Sequence, residues 1–161
     1  MKERKENFKQ QFETFYGELV QFTNSLFTTL QPPREVSSSM TQLATDLNKK
    51  HDDELSSSYL KMSKHLLGIS DDLFMSIKKS EEANGIIKHL FDNVYANFDS
   101  FDIKQLNSCV DDLNKVITEQ RKSLRFIAEN VFKFIDSVSE ALEKIKTAFD
   151  NRIKKLNSEL A

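Results

Sequence analysis

The chain has 161 residues, a formal net charge of −2, and only three Gly and two Pro. Gly and Pro together average about 12% of an ordinary globular protein, so a sheet with many tight turns is excluded. A composition 39% apolar and 30% charged instead describes a helix-rich chain of about one domain's length, all-α in class.

Several functional classes fall on the same grounds. The opening MKERKENFKQ is charged and no apolar run exceeds a few residues, so neither a secretory signal nor a membrane span is expected. One cysteine, Cys109, and no Asn-x-Ser/Thr triplet fit a reducing compartment, and a cytoplasmic location is expected, with peripheral association as the only membrane contact. Near-neutral charge gives no long-range pull toward phosphate, so nucleic acid is not an expected partner.

In chain order, residues 2–31 carry Phe8, Phe12, Phe15, Leu19, Phe22, Leu26 and Leu30 at spacings of three and four, a heptad-like stripe on one helix face. Tyr16, Val20 and Phe27 widen that stripe enough to meet two neighbours. Pro32-Pro33 predicts the end of this helix, because a residue before proline is pushed out of the α region. A second helix is expected from about 36 to 98, through Met40, Leu43, Leu47, His51, Leu55 and Tyr59. These spacings are mostly of four, nearer to straight or right-handed packing than to a heptad seam. Gly68 and Asn84-Gly85 read as kinks in it, since one interior Gly costs only about 1 kcal/mol. Asp99-Ser100-Phe101-Asp102 reads as a short turn supplying an N-cap. The last helix, from about 102 to 160, has a stripe running through Ile103, Leu106, Val110, Leu113 and Ile117 to Ile135, Leu142 and Leu160, with Gln120 the one polar residue in its seam.

These lengths predict a single all-helical domain: one short helix plus a long antiparallel helical hairpin, elongated and coiled-coil-like. The short helix, reversing at the prolines, is expected to complete a three-helix bundle over 36–67 and 129–160. The other half, 70–98 against 103–128, would then have two helices and a surplus of apolar positions. Phe74, Leu90, Phe91, Val94 and Tyr95 lie there and are the candidate partner or dimer interface. A homodimer is the simplest way to cover them.

No catalytic pattern is present. Glu-x-x-His pairs, Gly-x-Ser-x-Gly, Cys-x-x-Cys and a Gly-rich phosphate loop are all missing. His51 among Lys49, Lys50, Asp52, Asp53 and Glu54 reads as a solvated face, and Cys109 at the seam edge as a small packed hydrophobe. No metal or cofactor is expected. The most suggestive local signal is Phe126 projecting away from the stripe beside Lys115, Lys122, Arg125 and Lys133, a set suited to a partner helix or to lipid headgroups. Thirteen Phe and no Trp fit a thick bundle core better than a two-stranded coiled coil.

The expected function is therefore that of a non-enzymatic, self-associating scaffold or adaptor that binds other helical proteins. A short helix followed by two long ones that dimerise resembles, in layout, the BAR-type membrane-curvature modules. That resemblance implies a dimeric, peripheral membrane-binding module as the alternative.

Overall fold

The structure, a computed structural model, describes residues 2–51 and 53–161. Three helices account for nearly all of them: α1 (Lys2–Lys50), α2 (Glu54–Ala96) and α3 (Ile103–Leu160), with a 3-10 turn at Phe98–Ser100. There is no strand among the described residues, and the fold class is all-helical bundle.

The helix boundaries correct the sequence reading. α1 does not end at Pro32-Pro33 but continues through both to Lys50, so the first helix is not short. The chain reverses instead between α1 and α2, where Lys49 and Lys50 close one helix and Asp53 opens the next. Cations in a last turn followed by an acidic N-cap are a stop and start signal. Asp53 Oδ1 accepts the Ser56 N–H at 2.7 Å, and Arg152 Nη2 of α3 donates to Asp53 Oδ2 at 2.7 Å. The charges around His51 mark a helix junction. Local steric preference at the prolines is overridden because buried Leu30, Ser37 and Met40 hold α1 in the core on both sides of them. α2 likewise runs through Gly68 and Gly85. α3 opens on a capping box: Asp102 Oδ1 accepts the Gln105 N–H at 2.8 Å, and Gln105 Oε1 accepts the Asp102 N–H at 3.0 Å.

On each helix the buried positions repeat every seven residues. They are Phe12, Leu19 and Leu26 with Thr23, Leu30, Ser37 and Ala44 on α1; Ser56, Ser63, Ser70, Ile77, Asn84 and Phe91 with Leu66, Leu73, Ser80 and Ile87 on α2; and Leu106, Leu113, Gln120, Ile127, Phe134 and Ala141 with Ile117, Leu124, Val131 and Val138 on α3. A period of 3.5 is that of left-handed knobs-into-holes packing. The reading of four-residue spacings from Met40 followed only the apolar residues. Leu43 and His51 are in fact exposed, while small Ser37 and Ala44 occupy the seam. For the same reason Phe134 and Ala141, not Ile135 and Leu142, are core in α3.

The chain divides into two compact units. Unit 1 comprises Met1–Thr28 and Phe74–Glu129. In it Phe8 packs on Phe91 and Phe98, Phe12 stacks on Phe91, and Phe27 meets Phe74. Partner numbers fall as α1 numbers rise, so these α1 and α2 segments run in opposite directions. Arg4 reaches Asn107 and Glu18 reaches Arg121, both pairs 103 residues apart, so the α1 and α3 segments run the same way. Unit 2 comprises Thr29–Leu73 and Asn130–Ala161. Here Thr41 Oγ1 donates to the Ser63 carbonyl at 3.2 Å and Arg34 pairs with Asp71 at 3.4 Å. Its core sets small Ser37, Ala44, Ser56, Ser63, Ser70 and Ala141 among Leu30, Met40, Leu66, Leu73 and Phe134.

The expected two-helix half over 70–98 and 103–128 does not exist. Because α1 continues to Lys50 before the chain reverses, its first half lies on the later part of α2 and the beginning of α3 and completes three-helix packing there.

Two measurements test these features. Replacing Pro32 and Pro33 by Ala is expected to raise the urea midpoint, since an interior proline costs a helix about 3 kcal/mol; a lower midpoint would mean that α1 needs the prolines. Asp53 is held well below the ordinary carboxylate range, by the Ser56 N–H first and also by Arg152. Its stabilising contribution is therefore complete above the unfolded aspartate value of about 3.9 and is lost as pH falls below it. The difference in urea midpoint between wild type and Asp53→Ala should be constant near neutrality and narrow below that value; a difference that grows on acidification would contradict the assignment.

Candidate functional site

The five residues expected to form an interface divide into two groups. Phe91 is 4% exposed and stacks on Phe12, with ring centroids 3.9 Å apart. Half-buried Phe74 meets Phe27. Tyr95 lies under the ammonium groups of Lys5 and Lys9, and its hydroxyl donates to Glu6 at 3.4 Å. These three face α1 within unit 1 and are not an open surface, because the third helical segment covers them.

Leu90 and Val94 face the other way. With Asn93 on α2 and Cys109, Asp112, Leu113 and Val116 on α3, they line an open groove of about 240 Å³ in unit 1. Leu90 is 41% exposed and Val116 is also exposed. The geometry follows from the seam: Val94 and Leu113 belong to core rows, and Leu90, Cys109 and Val116 stand one step outside them, where no fourth helix lies. Cys109 is half-buried on the groove wall. The groove offers an apolar floor with an amide and a carboxylate at its rim, which suits an aliphatic or aromatic side chain followed by a cation.

On α3, Phe126 is 66% exposed, and Lys115, Lys122 and Arg125 around it in unit 1 are exposed as well. Lys122 pairs with Glu119 at 3.5 Å, both largely in solvent, where such a pair contributes little. Arg121 turns inward instead, bonding Glu18 at 2.7 Å and lying over the Phe15 ring at 4.9 Å. Lys133, in unit 2, is exposed.

A third constellation escaped the sequence reading. Thr23, Asn84 and Gln120, one residue from each helix, are buried together in unit 1. Thr23 Oγ1 donates to the Leu19 carbonyl at 2.8 Å, and Asn84 Nδ2 donates to Thr23 Oγ1 at 2.9 Å. Gln120 Nε2 donates to Asn84 Oδ1 at 3.0 Å and to the Ser80 carbonyl at 2.9 Å. Gln120 was visible as the polar residue of its seam, whereas Asn84 read as a breaker beside Gly85. The signal that finds the partner is the seven-residue row Ile77, Asn84, Phe91. The Thr23 hydroxyl donates to a backbone carbonyl and its neighbours are amides, so the layer reads as a register device.

His51, His65 and His89 are all exposed. No group of three His, Cys, Asp or Glu side chains able to hold a metal occurs among the described residues, and no helix among them is long and apolar enough to cross a membrane. Comparison of the chain with protein-family models, with curated proteins and with solved structures gives no significant match.

Asn84→Leu alone removes one of the two partners of Thr23 Oγ1 and of Gln120 Nε2 and is expected to cost about 1–3 kcal/mol in urea unfolding. Thr23→Val, Asn84→Leu and Gln120→Leu together should recover most of that loss, since a fully apolar layer has nothing left unpaired. A neutral Asn84→Leu would show that the layer does not bind the three helices together.

Proposed function

We propose that the chain is a non-enzymatic, self-associating helical scaffold that acts through protein–protein contact. The observation that carries this reading is the open apolar groove of unit 1, lined by Leu90, Val94, Cys109 and Val116, in a unit whose other large apolar residues are mostly packed. A helix of another protein, presenting apolar residues at i, i+3 and i+4 and a cation toward Asp112, is the ligand that such a groove fits. Self-association draws on apolar side chains that a single chain leaves in water, Phe126 among them. A dimer is the smallest assembly that meets this description.

A lipid-surface role is the second reading, favoured by Phe126 standing exposed beside Lys122 and Arg125. The curvature-module layout loses its basis, since the first helix is 49 residues long and not short.

Sedimentation equilibrium up to about 100 µM, where micromolar dissociation constants are resolved, should give a mean mass above the monomer's 18.7 kDa. A mass that stays at 18.7 kDa throughout would refute self-association. Cosedimentation with phosphatidylserine vesicles at low salt separates the second reading, which requires the chain to pellet with the lipid.

A further inference from the structure

Of the 13 Phe in the chain, two are exposed, and both stand on α3: Phe126 at 66% in unit 1 and Phe132 at 61% in unit 2. Neither belongs to the buried rows of α3. Burying an aromatic ring is among the largest single gains available to a side chain, so each ring left in water marks a surface that a partner would complete.

The charged residues around the two rings differ in sign. In unit 1, Phe126 has exposed Lys115, Lys122 and Arg125 on the same outward side, against Glu119 and Glu129. Lys115 and Lys122 are one heptad apart and so form a single row. In unit 2, Phe132 has exposed Asp136, Glu140 and Glu143, against Lys133, with exposed Lys144 and Lys146 bounding the acidic residues at their far end. Asp136 and Glu143 are again one heptad apart. Each patch thus has an aromatic centre and a short charged row, the first basic and the second acidic.

We propose that two copies of this chain associate through the outward side of α3, the basic Phe126 patch of one copy meeting the acidic Phe132 patch of the other. This rests on the self-association reading and names its surfaces. A second copy is the occupant because it carries the complementary row at the same heptad spacing beside an equally exposed ring. Opposite rows steer encounter and fix which patches meet, and the rings supply the apolar burial. Mixed signs at Phe126 weaken attraction to a uniformly anionic membrane but not to a patterned protein surface.

The test uses the full chain and two charge-reversed variants. One carries Lys115→Glu, Lys122→Glu and Arg125→Glu, so that both patches are acidic; the other carries Asp136→Lys, Glu140→Lys and Glu143→Lys, so that both are basic. All six side chains are exposed, and circular dichroism should show unchanged helicity. In sedimentation equilibrium each variant alone should dissociate at least about tenfold more readily than wild type, and an equimolar mixture of the two should recover association. Phe126→Ala and Phe132→Ala should each weaken wild-type association with little dependence on salt. Wild type that associates while the variants keep its mass, or a mixture that fails to recover, would overturn this pairing and leave self-association standing. A wild type that is monomeric throughout would overturn both. Vesicle binding that the Lys115, Lys122 and Arg125 reversals abolish, with self-association unchanged, would assign the Phe126 patch to lipid and overturn the pairing.

Discussion

Three helices whose core rows each repeat every seven residues still face their seams to one another when one slides past another by a heptad. Hydrophobic burial alone does not forbid that slip. The layer of Thr23, Asn84 and Gln120 does, because moving any one helix by seven residues sets a buried amide or hydroxyl against an apolar side chain and leaves it unpaired. In unit 1 everything else follows from that register: Phe12 reaches Phe91, Arg4 reaches Asn107, Arg121 reaches Glu18, and Leu90 faces Val116 across an unfilled groove.

The two units meet the same heptad requirement with different side chains. Unit 1 fills its core with rings, Phe12, Phe91 and Phe98, beside the polar layer. Unit 2 sets serine and alanine at Ser37, Ala44, Ser56, Ser63, Ser70 and Ala141 among Leu30, Leu66, Val131 and Phe134, and the Oγ atoms of Ser37, Ser63 and Ser70 are buried without a hydrogen-bond partner. Small residues let backbones approach closely, but a buried hydroxyl without a partner offsets part of that gain.

Helix content was legible from the scarcity of Gly and Pro, and the α3 start from the N-cap turn Asp99-Ser100-Phe101-Asp102. The first reversal was not, because two adjacent prolines are a strong local signal and the weaker pair, Lys49-Lys50 before Asp53, looked like surface charge. Tertiary packing on both sides of Pro32-Pro33 outweighed the local preference, and that one displacement moved the expected uncovered surface. Phe91 and Tyr95 read as apolar surplus for another chain to cover, whereas α1 of the same chain covers them. The exposure of Phe126 follows from its angle on α3 alone. The buried serines were invisible to a search for apolar stripes, since only their heptad spacing marks them.

The placement of the first half of α1 on the α2–α3 end of unit 1 decides which surfaces remain free, and an ion pair makes it measurable. Lys5 Nζ lies 3.4 Å from Asp99 Oδ2, within reach of zero-length carbodiimide coupling. In dilute solution, peptide mapping of the monomer band should recover a Lys5–Asp99 cross-link. Links from Lys5 or Lys9 to Glu54 in place of it, as a reversal at Pro32-Pro33 would produce, would contradict this fold.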